Sequence, residues 1–210
     1  MGELAAFASA CHVRPMRKLL PILTGVLLAG AAASQASAAP PSDGKDAFGV
    51  AMGEAVRKLP GARFFKPGWY QLAAPPKPDP RFAGVAVEAF ADTGVCVVQG
   101  VSPEITGDPD GAKIRRAIDR LADDFSMTYG QPLRLDSCSD SACAPDLWGQ
   151  DLQTGDRRYG YRWELHEAKT HEVREVSVVA LAHSVSSFVF LAQFDSGDLT
   201  GCRAAELATD

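Results

Sequence analysis

The chain has 210 residues, 46% hydrophobic, 22% charged and 8% aromatic, with a formal net charge of −5. That length suits one or two domains, and the composition excludes a disordered chain and a disulfide-dense miniprotein. A general nucleic-acid binder is disfavoured as well, because phosphate binding needs a surplus of Lys and Arg.

Arg17 and Lys18 precede an apolar run, Leu19 to Ala33, interrupted by Pro21, Thr24, Gly25 and Gly30, and Ala36-Ser37-Ala38 closes the segment. A basic start, a short apolar stretch and a small-x-small exit predict a secretory signal peptide over residues 1–38. The run is shorter than the ~20 apolar residues of a membrane-spanning helix. No Cys follows it directly, so no lipid anchor is expected there. Met16 fits a start better than Met1. Removal of residues 1–38 leaves 18 basic and 25 acidic side chains, a net charge of −7. The mature chain is expected to be periplasmic or secreted, without a membrane anchor, and repelled by anionic lipid and nucleic acid. Residues 39–47 read as a flexible leader, and residues 48–210 as a single domain.

Phe48 to Leu59 is read as a short helix stopped by Pro60-Gly61. Phe64, Phe65, Trp69 and Tyr70 are expected to pack together, and the Pro-rich Gln71–Pro80 stretch is an extended connector. Phe82–Phe90 and Val95–Val101 alternate as two strands around the Asp92-Thr93-Gly94 turn. Ile114, Ile118, Leu121 and Phe125 recur at helical spacing, with Asp108 or Asp110 available as cap and Gly130 as stop. Leu133 to Thr154 reads as a long loop, a place where function concentrates. Three strands follow: one through Tyr159, Tyr161, Trp163 and Leu165, then Val173–Ser184 and Ser187–Phe194. Thr200–Ala208 reads as a short terminal helix. This order predicts an α+β fold: a mainly antiparallel sheet of about five strands with one long amphipathic helix packed on one face.

Cys11 leaves with the signal, and Cys96, Cys138, Cys143 and Cys202 remain. An even number in an exported protein predicts two disulfides. Three pairings are open. Geometry favours Cys138–Cys143 across a short polar loop and Cys96–Cys202 between a strand and the C-terminus. A redox role is disfavoured, because C-x4-C is not C-x-x-C and Asp136, Asp140 and Asp146 lie nearby.

Catalytic signals are weak. His166 and His171 resemble H-E-x-x-H with one residue too many, and two imidazoles without a third ligand make a poor metal site. His183 lies in an apolar strand near Ser184, and no G-x-S-x-G accompanies it. Nucleotide-binding glycine motifs are missing, and Asp136, Asp140 and Asp146 do not have calcium-loop spacing. Glu164 and Glu167 read as paired carboxylates or as solvated strand-end charges. No catalytic, cofactor or metal residue is therefore assigned. Trp69, Trp148 and Trp163 can serve as contacts. Trp163 alternates regularly and is assigned to the core, whereas Trp148, in the long loop, is expected to be exposed and is the candidate contact residue.

Phe48-Gly49, Gly53, Gly94-Val95-Cys96, Tyr129-Gly130-Gln131-Pro132, Trp148 and Cys202 resemble a family of small exported bacterial proteins of uncharacterised activity. That resemblance implies export and a helix-covered sheet, with no catalytic residues to carry over. The leading expectation is a non-catalytic binding domain of the cell envelope, its partner an envelope protein or a cell-wall component. A hydrolase with an unrecognised site and an inhibitor of an exported enzyme are the alternatives.

Overall fold

Alternating side chains build most of this protein. In the computed structural model, which describes residues 46–139, 143–168 and 171–207, the elements in chain order are β1 (Asp46–Ala47), β2 (Val50–Ala51), β3 (Ala62–Lys66), β4 (Trp69–Leu72), β5 (Gly84–Phe90), β6 (Gly94–Val101), β7 (Ile105–Thr106), α1 (Ala112–Tyr129), β8 (Leu133–Cys138), α2 (Trp148–Thr154), β9 (Arg157–Glu164), β10 (Val173–Ser184), β11 (Ser187–Ser196) and α3 (Leu199–Leu207). The predicted signal segment and most of the leader lie outside the described residues.

One nine-stranded antiparallel sheet carries the fold, in the order β3-β4-β5-β6-β11-β10-β9-β8, with β7 paired to β11; β1 and β2 form a separate small hairpin. This corrects the expected α+β fold, since the protein is mostly β. The two expected hairpin strands and the three-strand meander lie side by side because β6 pairs with β11, Val98 opposite Phe194. The remaining strands were hidden by weak patterning. In β8 no residue is fully buried, because the strand lies on the sheet edge, so its side chains show no clean apolar alternation. In β3 and β4 the Pro67-Gly68 turn interrupts an aromatic run that reads as packing. The predicted helix over Phe48–Leu59 is instead the β1–β2 hairpin and a short 3-10 turn, Val56–Lys58. Phe48 and Gly49 both take positive φ, which a helix forbids.

Helix α1 buries Ile114, Ile118, Leu121, Ala122 and Phe125 against β9, β10 and β11 rather than across a five-stranded sheet. Its N-terminus is held by Asp108, whose carboxylate accepts the backbone N–H groups of Lys113 and Ile114 at 2.9–3.0 Å. The core row beneath the helix runs Trp163, Val176, Phe194, Val98, Val87 in register. The Phe125 ring lies 5.8 Å from Trp163 and 5.7 Å from Phe194.

The opposite face is polar in its middle. One register row reads Arg162, Ser177, Gln193, Gln99, Ala86, Gln71, and the next reads Glu164, Glu175, Asp195, Val97, Glu88, Trp69. Helix α3 covers part of this face through Leu199 and Cys202, which pack with Cys96, Val97, Trp69 and Phe90. Cys96 and Cys202 stand at disulfide distance with Cα atoms 6.2 Å apart, and so do Cys138 and Cys143 at 6.3 Å.

The expected exposed loop over Leu133–Thr154 is β8, a 3-10 turn and α2. Trp148 is 2% exposed, with its ring 5.4 Å from Phe188 and 6.1 Å from Tyr159. This corrects the reading of Trp148 as an exposed contact. The first turn of α2 points it inward, and Gly111, at φ +67°, leaves the space its ring occupies.

Candidate functional site

The polar face ends in a cleft. The last residue of β9, the start of β10, the end of β11 and the first turn of α3 enclose about 320 Å³ there. Strand register dictates the floor: Glu175 stands opposite Glu164 on one side and Asp195 on the other. Three carboxylates thus line up across three adjacent strands, with side chains about 5 Å apart at their bases. Directly opposed like charges repel, so the row persists only with compensation.

Two of the compensations are visible. Arg162 reaches Glu164 at 2.6 Å. The Gln193 amide donates to both Asp195 oxygens at 2.9 and 3.1 Å, and Gln99 donates to Gln193 Oε1 at 2.7 Å. This relay accompanies the burial of Asp195, which is 7% exposed; a buried carboxylate is tolerated when hydrogen-bonded. Arg174, Ser196, Thr200 and His166 complete the polar lining, and Leu165 and Leu199 supply apolar wall. The arrangement can hold a small polar ligand by its cationic end.

The predicted residues fall in several places. Glu164 belongs to the cleft, but its carboxylate neighbour is Glu175 rather than Glu167, which is exposed and outside the lining. His166 lines the cleft, whereas the His171 ring packs on Gly53 beside the β1–β2 hairpin. Among the described residues, neither His is hydrogen-bonded to a hydroxyl or carboxylate. His183 Nδ1 lies 3.5 Å from Glu104 Oε1, and the Ser187 hydroxyl donates to the same oxygen. The carboxylate therefore sits between serine and imidazole, whereas nucleophile activation requires the imidazole in the middle.

Cys138, Cys143 and Asp151 bring ligand atoms within 4.8 Å of one another. The two sulfurs are paired as a disulfide, which removes the thiolates a metal would need. The centre of that loop, 140–142, lies outside the described residues, so the inhibitor reading has no described surface.

A second cluster escaped sequence reading. The Tyr159 and Tyr161 hydroxyls both donate to Asp119 Oδ1, at 2.5 and 3.0 Å, tying α1 to β9. Burial first, then the hydrogen bond to Asp119 and its charge, push both phenols above their ordinary range. They act as neutral donors, so the cluster is a tether. The period-two pattern of β9 signals the tyrosines' shared face, but nothing in the sequence couples them to a residue some forty positions earlier.

Several residues that carried the family resemblance are packing positions, whereas Gly130 and Gln131 are exposed. Phe48 stacks edge-on against Phe82 and Phe194, Trp163 Nε1 donates to the Gly130 carbonyl at 3.0 Å, and Trp148 and Cys202 are buried. Comparison with family models, curated proteins and solved structures found no match.

Proposed function

We propose that this protein is an exported, non-catalytic binding domain of the cell envelope, and that the cleft at the end of β9–β11 takes an amino-bearing group of its partner. The observation that carries the reading is the carboxylate row Glu164, Glu175 and Asp195 beside an open volume of about 320 Å³. A ligand ammonium placed over the row relieves its internal repulsion and gains charge-assisted hydrogen bonds. Arg174 at the rim suits a carboxylate on the same ligand. An envelope protein presenting lysine and a cell-wall peptide both offer such groups. Two cysteine pairs at disulfide distance fit an oxidising compartment, and cleavage after Ala38 is part of the proposal.

The test is titration of the exported protein with a short lysine-rich peptide, followed by amide and side-chain NMR shifts. Shifts are expected at Glu164, Glu175 and Asp195, with at least ~10-fold weaker binding for Glu175→Gln, roughly one charge-assisted hydrogen bond. Unchanged affinity in Glu175→Gln overturns the assignment. Reproducible turnover of a peptide or ester substrate, lost on His166→Ala with the fold intact, replaces it with the enzyme reading.

A further inference from the structure

We propose that the β3–β4 hairpin is a docking tip for a phospholipid bilayer containing anionic lipid. The inference rests on residues separate from the cleft and stands whether or not the cleft binds an amine.

Phe64 and Phe65 are 64% and 53% exposed, and they occupy adjacent positions on the terminal strand of the sheet. A register shift between Phe64 and Lys66 leaves Phe65 without a cross-strand partner. Tyr70 and Trp69 stand behind them, with ring centroids 5.8 and 6.4 Å from Phe64 and Phe65. Apolar rings presented to solvent at a hairpin tip call for an apolar partner.

The charge around the rings names that partner. Arg57, Lys58, Arg63 and Lys66 are exposed, and no Asp or Glu occurs from Ala55 to Pro78. Lys77, in the same stretch, is bound to Asp46 at 2.8 Å and does not contribute. The nearest acid in register is Glu88, opposite Trp69, and Asp92 lies at the adjacent β5–β6 turn. In a chain of net charge −5, this local excess of cations is a reversal of sign. Lys66 lies 4.5 Å over the Trp69 ring and 5.9 Å over Phe65, so cation and aromatic already share one surface.

Aromatic rings at headgroup depth with Lys and Arg reaching the phosphates are the chemistry of a bilayer interface. Screening makes the local patch dominate, because charges beyond ~8–10 Å contribute little at physiological salt. A strand-adding partner is disfavoured, since the bulge, Arg63 and Lys66 blunt the β3 edge. A second copy docking on the same patch meets the like charges of Arg63 and Lys66.

Trp69 supplies a native reporter. The chain has three Trp, and Trp148 and Trp163 are 2% and 1% exposed, shielded from lipid. The exported protein is mixed with vesicles of brominated phosphatidylcholine, with or without phosphatidylglycerol, and Trp emission is followed. The expected result is quenching only when phosphatidylglycerol is present, weakened by salt. Each of Arg63→Gln and Lys66→Gln should weaken vesicle affinity by ~5-fold, the factor for one interfacial cation. Phe64→Ser with Phe65→Ser should abolish quenching at an unchanged melting temperature, since both rings are exposed. Unquenched wild-type emission, or equal quenching in the double variant, overturns the proposal. So does self-association of the wild type, lost in the double variant, without vesicle binding.

Discussion

Trp148 is enclosed by Phe188, Tyr159, the Arg115 guanidinium 5.5 Å from its ring, and Gly111. Its indole Nε1 is buried without a hydrogen-bond partner among the described residues. The ring's burial must therefore outweigh the cost of that unsatisfied donor, about 1–3 kcal/mol. Trp148→Ala is expected to lower stability by ~3–5 kcal/mol in urea unfolding. Trp148→Phe should cost much less, because it keeps most of the ring volume and removes the orphan N–H. Tyr129 makes a second residue-scale prediction. Burial, then the negative charge of Asp46, push its phenol up to about 12. An unfolded tyrosine loses its proton near pH ~10. Between those values the unfolded chain holds fewer protons than the folded one, so stability falls as pH rises. The contribution is complete below about pH 10 and is lost as pH climbs through the folded value. Thermal unfolding from pH 9 to 12 should show this decline, and Tyr129→Phe should make it shallower, the remainder coming from the raised phenols of Tyr159 and Tyr161.

At the scale of elements, the two cysteine pairs do unequal work. Cys96 and Cys202 are 106 residues apart in sequence, and their link ties α3 to β6 over the polar face. Cys138 and Cys143 are 5 apart and brace only the end of β8. On the chain-entropy account, the first closure stabilises by ~4–5 kcal/mol and the second by much less. Replacing Cys96 and Cys202 with Ser should therefore lower the melting temperature more than replacing Cys138 and Cys143, each double variant measured by calorimetry. A larger loss from the short loop would contradict this ranking. The β9–β10–β11 meander has a further consequence for function. Its register, rather than any sequence motif, aligns Glu164, Glu175 and Asp195. Sequence spacing instead paired Glu164 with Glu167, three residues away, because nearness along the chain was the only distance it offered.

Across the whole molecule, what was legible in the sequence follows the reach of each signal. The amphipathic stripe of α1 and the alternation in β5, β9 and β10 are local patterns, each caused by one buried face, and they report their elements directly, whereas β6 and β11 bury residues on both faces and read as apolar runs. The basic start, apolar run and small-x-small exit are a local pattern of the same kind, and the export they suggest belongs to the proposed function. Sheet size was decided elsewhere. An edge strand such as β8 buries little, and β3 ends at solvent, so neither imprints a hydrophobic period on its residues. The inward turn of Trp148 depends on the space at Gly111, thirty-seven positions earlier, which no window along the chain contains. The carboxylate row, the Asp119 tether and the cationic aromatic tip share that origin. Each is assembled by pairing or by exposure at a sheet boundary, and both are properties of the folded neighbourhood. The sequence by itself determined which segments bury a face and which residues can carry charge; the tertiary structure alone decided which of them meet, because strand pairing and edge position arise from contacts between remote segments.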